Sequence, residues 1–91
     1  MLNIKTITLL MPESTTDQQI AKIQHDIEAY VAVDKLEDDG VKFLAYPIKD
    51  GNMKHLRARC IHLTAKAREI AYRRLNGELV KNHDILRYLI Y

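Results

Sequence analysis

Six segments in the order strand, helix, strand, strand, helix, strand predict an α+β fold for this 91-residue chain. Three observations carry that order. Branched and aromatic residues crowd the two ends of the chain, 2–11 and 85–91, as strands require. Isoleucines recur at 20, 23 and 27 with polar residues between, the spacing of an amphipathic helix. Asp50-Gly51 divides a long β-prone region in two, as a tight hairpin turn does, because both residues tolerate positive φ.

The first strand, 2–11, offers two alternating faces. One carries Ile4, Thr6, Thr8 and Leu10; the other carries Lys5, Ile7, Leu9 and Met11. A slip of one residue exchanges them, so the buried face stays open at this stage. Pro12 ends the strand. Thr15 with Gln18 fits a capping box and starts a helix from about Thr16 to Tyr30. His25 falls off its apolar stripe and is expected at the surface. The second strand is expected from about Val33 to Pro47, kinked at Gly40 where the missing Cβ permits a bulge. Pro47 has no N–H to give and belongs at a strand end or a sheet edge. The third strand, about Lys54 to Leu63, puts Leu56, Ala58 and Cys60 on one face. Arg57, Arg59, Ile61 and Leu63 share the other. Thr64 is the expected N-cap of a second helix, about Ala65 to Asn76, with Ala67, Ile70, Ala71 and Leu75 as its apolar stripe. Arg68, Arg73 and Arg74 are expected on its wet side, and Gly77 at its end. Ile85 to Tyr91 form the last strand.

Two β-α-β halves joined by a hairpin make the ferredoxin-like arrangement, a four-stranded antiparallel sheet with both helices on one face. Residues 1–91 are expected to form one such domain. Right-handed crossovers place the first and third strands in the centre, expected to be parallel, and the second and fourth at the edges. One sheet face is left open, and Arg57 and Arg59 are expected in its middle.

Composition narrows the function classes. Hydrophobic residues at 47% and charged residues at 29% are ordinary for a globular protein. No apolar run approaches the ~18 residues of a membrane span, and the N-terminus lacks the build of a signal peptide, so a cytoplasmic location is expected. Cys60 stands alone, which rules out an intrachain disulfide and a cysteine-based zinc cluster; a buried structural thiol is expected. His25, His55, His62 and His83 lack metal-ligand spacing, so no metal is expected. Glu37, Asp38 and Asp39 alternate across a strand and make a poor acid–base pair; a solvated, aggregation-resistant edge explains them better. Gly40, Gly51 and Gly77 are isolated and form no phosphate-cradling loop. Neither an enzyme nor a cofactor is expected.

Charge is uneven. Residues 1–47 carry four Lys/Arg against eight Asp/Glu (4 − 8 = −4), and residues 48–91 carry ten against four (10 − 4 = +6). The second half also sets tyrosines among arginines: Arg57, Arg59, Tyr72, Arg73, Arg74, Arg87, Tyr88 and Tyr91. Arginines contact phosphates and tyrosines offer stacking planes, so the pattern points to RNA. A solvated helix face and ordinary strand packing account for part of it.

Two stretches combine into a resemblance. Leu36-Glu37-Asp38-x-Gly40 followed by Leu44-Ala45-Tyr46-Pro47-Ile48, then Asp84-Ile85-Leu86-Arg87-Tyr88-Leu89-Ile90, resembles the bacterial small-subunit ribosomal protein six family over nearly the whole chain. The resemblance implies a ferredoxin-like fold and a non-enzymatic structural role. It implies binding to small-subunit ribosomal RNA together with small-subunit ribosomal protein eighteen. It makes Arg87 an RNA contact, with Lys42 as a surviving basic position of the second strand; the face argument adds Arg57 and Arg59. Tyr46 is expected to pack rather than stack on RNA. An alternative is a diverged protein-interaction or self-associating module without a ribosomal role. In the family's register Ile7, Leu9 and Ile61 would lie on the open face and receive a partner or a second copy of the chain.

Overall fold

The computed structural model describes Met1–Tyr91. The elements follow the expected order: β1 (Asn3–Pro12), α1 (Asp17–Glu28), β2 (Ala32–Asp50), β3 (Met53–Ala67), α2 (Glu69–Val80) and β4 (Arg87–Ile90). The four strands form one sheet in the order β2-β3-β1-β4, and the fold is ferredoxin-like. The central pair differs from expectation in direction, since β1 and β3 are antiparallel. The hairpin at Asp50-Gly51 reverses the chain between β2 and β3. β2 runs parallel to β1 after the crossover, so β3, lying between them, opposes both.

The β1 register is settled by its pairing. Ile7 lies opposite Leu63 and Leu9 opposite Ile61. Residues directly opposite in a ladder share a face. Ile7 and Leu9 are 0% and 1% exposed, packed with Met11, Ile61 and Leu63 against the isoleucine stripe of α1 and against Tyr72, Leu75 and Leu79 of α2. Ile7, Leu9 and Ile61 therefore belong to the core, which overturns their assignment to an open partner-binding face. Ile4, Thr6, Thr8 and Leu10 take the open side.

Several boundaries differ from expectation. The capping box is Thr16 with Gln19, one residue later than Thr15 with Gln18: the Gln19 backbone N–H donates to Thr16 Oγ1 at 3.2 Å, and the Thr16 N–H donates to Gln19 Oε1 at 2.8 Å. Thr15 is buried instead. β3 extends through Ala67, because Ala65 and Ala67 alternate inward and pair with Lys5 and Asn3. Tertiary pairing here overrides the helix propensity of alanine. α2 consequently starts four residues late, at Glu69, and Arg68 rather than Thr64 is the N-cap, with no side-chain cap bond. The helix continues through Gly77 because Leu79 completes a buried stripe with Tyr72 and Leu75; Ile70 is exposed.

β1 ends at Pro12 opposite Ala58, so residues 53–57 of β3 and their β2 partners project as a two-stranded arm. Register shifts fall between Asp38 and Gly40, where Gly40 has φ of 74°, and between Phe43 and Ile48. The second shift lifts residues 44–47 out of the ladder, which accommodates Pro47 on an edge strand. It also swings Leu44 and Ile48 onto Leu10, Ala58 and Leu86, forming a second, smaller apolar cluster.

A Leu9→Ala variant is expected to lose about 2–5 kcal/mol of stability in equilibrium urea unfolding, and Ile4→Ala to change it by less than about 0.5 kcal/mol. Similar losses in the two variants would contradict this register.

Candidate nucleic-acid interface

Cations are sorted by the partners they find. Arg59 lies opposite Met11, on the helix side of the sheet and not on the open face as expected. It sits beyond the edge of the core, where the start of α1 approaches β2. Its Nη1 donates to the Thr15 carbonyl at 2.7 Å, and its Nη2 donates to Asp17 Oδ1 at 2.7 Å and to Asp38 Oδ2. Only 16% of the side chain is exposed. The two carboxylates push the guanidinium's value up. Arg57 shares that face and pairs with Glu13 at 2.9 Å, with its guanidinium 5.7 Å from the centre of the Phe43 ring. Arg59 thus ties the start of α1, and Arg57 the turn before it, to the hairpin, and their expected placement in the middle of the open face is corrected.

The acidic run separates as its strand geometry requires, helped by the bulge. Asp38 turns to the helix side and meets Arg59. Its Oδ1 also accepts the Gly40 N–H at 2.9 Å, a closure that the positive φ at Gly40 permits. The Arg59 guanidinium first, and the Gly40 N–H second, hold the Asp38 carboxyl below the usual carboxylate range. Asp39 turns to the open face. There Thr8 Oγ1 lies 2.9 Å from His62 Nδ1, His62 Nε2 lies 2.8 Å from Asp39 Oδ2, and Lys42 Nζ lies 3.5 Å from the same carboxylate oxygen. In a neutral ring, with Asp39 as acceptor, Nε2 donates and Nδ1 is left to accept from the Thr8 hydroxyl. The middle of the open face is therefore a hydrogen-bonded polar chain. Lys35 pairs with Glu37 at 2.6 Å beside it. Cys60 is buried and free, and burial pushes its thiol up.

Five of the fourteen Lys and Arg residues, Lys5, Lys35, Lys42, Arg57 and Arg59, meet a carboxylate; 14 − 5 leaves nine without one. Eight of those nine lie beyond residue 48: Lys49, Lys54, Lys66, Arg68, Arg73, Arg74, Lys81 and Arg87, all exposed. They lie at the end of the arm, at the start of β4, and along α2 and its approach. Arg87 Nη1 donates to its neighbour's carbonyl, Leu86 O, at 2.7 Å and has no carboxylate partner.

The tyrosines divide in the same way. The Tyr72 hydroxyl is committed to the Asn3 carbonyl at 2.7 Å, and the Tyr88 hydroxyl to Asn76 Oδ1 at 2.6 Å. Tyr46 is 83% exposed, contrary to the packing role expected for it, because the register shift turns it outward. Phe43, Met53 and Leu56 on the same arm are exposed as well. Sequence reasoning did not single out Lys49 or Tyr46 as binding residues. The signal for Tyr46 was Pro47, which sits with it in the register shift between Phe43 and Ile48; Lys49 lies beyond that shift, paired with Lys54.

The fold has a clear structural relative. Over 100% of this chain and 87% of the other, the structure matches 30S ribosomal protein S6 from Thermotoga maritima with a TM-score of 0.81 and 12% sequence identity. At that identity the likeness is one of fold. No protein-family model and no curated protein sequence matches the chain. No helix is long and apolar enough to cross a membrane.

The lowered folded-state value of Asp38 has a defined pH consequence. Its contribution is fully present above the ordinary carboxylate value of about 3.9 and is lost as pH falls through the lower folded value. Asp38→Asn is therefore expected to be less stable than the parent at neutral pH, with the gap in melting temperature closing at strongly acid pH. A gap that is constant from pH 7 down to acid pH would contradict the Arg59–Asp38 contact.

Proposed function

We propose that this chain is a non-enzymatic structural protein of the small ribosomal subunit, working in the cytoplasm and binding ribosomal RNA beside a partner protein. The observation that carries the reading is that eight of the nine unpaired cations belong to the second half of the chain, all of them exposed, on an S6-like fold. The acidic first half neutralises Lys35, Lys42, Arg57 and Arg59 within the protein, and the cations of α2 and the arm stay available for phosphates. Arg87 and the exposed Tyr46 add a phosphate contact and a stacking plane. Lys42, still largely exposed, contributes at the rim of the open face. Phe43, Met53 and Leu56 give the arm an apolar stretch suited to a protein partner, the position we assign to small-subunit ribosomal protein eighteen.

The same exposed apolar side chains support a second reading, self-association through the arm without RNA. Sedimentation equilibrium separates the two. A monomer at micromolar concentration that binds RNA supports the first, and a dimer that binds none supports the second.

Titration with a small-subunit ribosomal RNA fragment across a salt series is expected to give a negative log–log slope, about 0.7–0.9 per phosphate contacted. Replacing Arg73 and Arg74 by Gln should flatten that slope by about one for each phosphate no longer neutralised. Arg59→Gln should leave the slope unchanged while lowering the melting temperature. A salt-independent affinity, or no binding at low salt with or without the partner, would overturn the proposal.

A further inference from the structure

We propose that a small cleft at the end of the β2–β3 arm holds one ribose–phosphate unit of an RNA strand, with the phosphate on Lys49 and Arg87 and the ribose 2′-hydroxyl on Asp50. The inference rests on the RNA-binding reading and names a contact point for it.

The cleft encloses about 150 Å³ between Lys49 and Asp50 on one side and the turn from α2 to β4 on the other, where Asn82, His83 and Arg87 line it. The smaller apolar cluster creates it. Ile48, buried against Ala58 and Leu86, draws the end of the arm toward that turn. Lys49, Asp50 and Arg87 follow directly on Ile48 and Leu86, so packing of the two apolar residues brings the three charges to one place.

Hydrogen-bonding capacity in the cleft is uncommitted. Neither Lys49 nor Arg87 has an ion-pair partner, and Asp50 has none either. The Leu86 carbonyl takes one guanidinium N–H of Arg87 and holds the group in place; the other N–H groups remain to donate. Asn82 Oδ1 accepts the Asp84 N–H at 2.9 Å, so its Nδ2 is the end left to donate. Lys49, Arg87 and Asn82 therefore present donors, the complement of a phosphate.

Asp50 supplies the selectivity. A carboxylate only accepts, and it repels a bare anion. A phosphodiester beside a 2′-hydroxyl satisfies both halves of the cleft: phosphate oxygens meet the cations, and the hydroxyl donates to the carboxylate. DNA lacks that hydroxyl and leaves Asp50 facing a phosphate with no donor between them.

The test uses a labelled single-stranded fragment of small-subunit ribosomal RNA and the DNA of the same sequence, followed by fluorescence anisotropy. The parent is expected to prefer RNA. Lys49→Ala and Arg87→Ala should weaken both and flatten the salt slope by about one each. Asp50→Ala should lower RNA affinity toward that of DNA and leave DNA binding equal or tighter. Lys22→Ala, on the exposed face of α1, serves as control and should change neither. An unchanged RNA-to-DNA ratio in Asp50→Ala, or unchanged binding in the two cation variants, overturns the cleft while RNA binding elsewhere stands. If the parent binds neither strand, the RNA reading fails, and amide shifts on titrating ribose 5-phosphate decide the cleft separately. Shifts at Lys49, Asp50 and Asn82 support it; shifts absent there overturn it.

Discussion

The antiparallel pairing of β1 with β3, Leu9 opposite Ile61 and Ile7 opposite Leu63, decides where nearly every other side chain goes. It buries the apolar halves of both central strands beneath the helices. Because the side-chain period of a strand is two, it also sends Arg57 and Arg59 to the helix side and Thr8 and His62 to the open side. A slip of one residue would expose the core and place both arginines where RNA could reach them. The electrostatic character of the surface is thus a consequence of apolar packing. Arginines forced to the helix side need carboxylates there, and Glu13, Asp17 and Asp38 provide them.

The acidic first half consequently has an internal purpose. Its carboxylates hold the start of α1 and the kink of β2 against β3. The basic second half is left with few opposing groups nearby. A nearly balanced total of +2 hides this division. The smaller cluster of Leu10, Leu44, Ile48, Ala58 and Leu86 adds a second link. It joins the two stretches that carry the family resemblance, Leu44–Ile48 and Asp84–Ile90. Leu44, Ile48 and Leu86 meet in one apolar contact, and Lys49, Asp50 and Arg87 are the residues that follow them. A structural motif and a candidate binding cleft arise from the same packing.

Much of the fold was legible because local signals agreed: the isoleucine stripe of α1, the Asp50-Gly51 turn, the kink at Gly40, the edge position of Pro47 and the strand order. What was misplaced depended on distant partners. Ala65 and Ala67 suit a helix by propensity, and only pairing with Asn3 and Lys5 makes them strand. Gly77 looked like a helix end, and the burial of Leu79 carries the helix past it. The direction of β3 against β1 follows from counting reversals, which no single residue records. At the candidate site, the final-strand motif singles out Arg87, and the structure leaves it exposed and without a carboxylate partner. Arg57 and Arg59 were misplaced because their face depends on what lies across the sheet and at the start of α1. The exposure of Tyr46 depends on a three-dimensional bulge that a proline signals without giving its direction.

The most direct measurement is crosslinking on small ribosomal subunits isolated from the protein's own cells. The chain is expected to co-sediment with those subunits. Its ribosomal RNA crosslinks should map to the arm, to the start of β4 and to α2, at Lys49, Lys54, Lys81 and their neighbours. Absence from the subunits, or crosslinks confined to Lys22 and Lys35 on the acidic half, would contradict it.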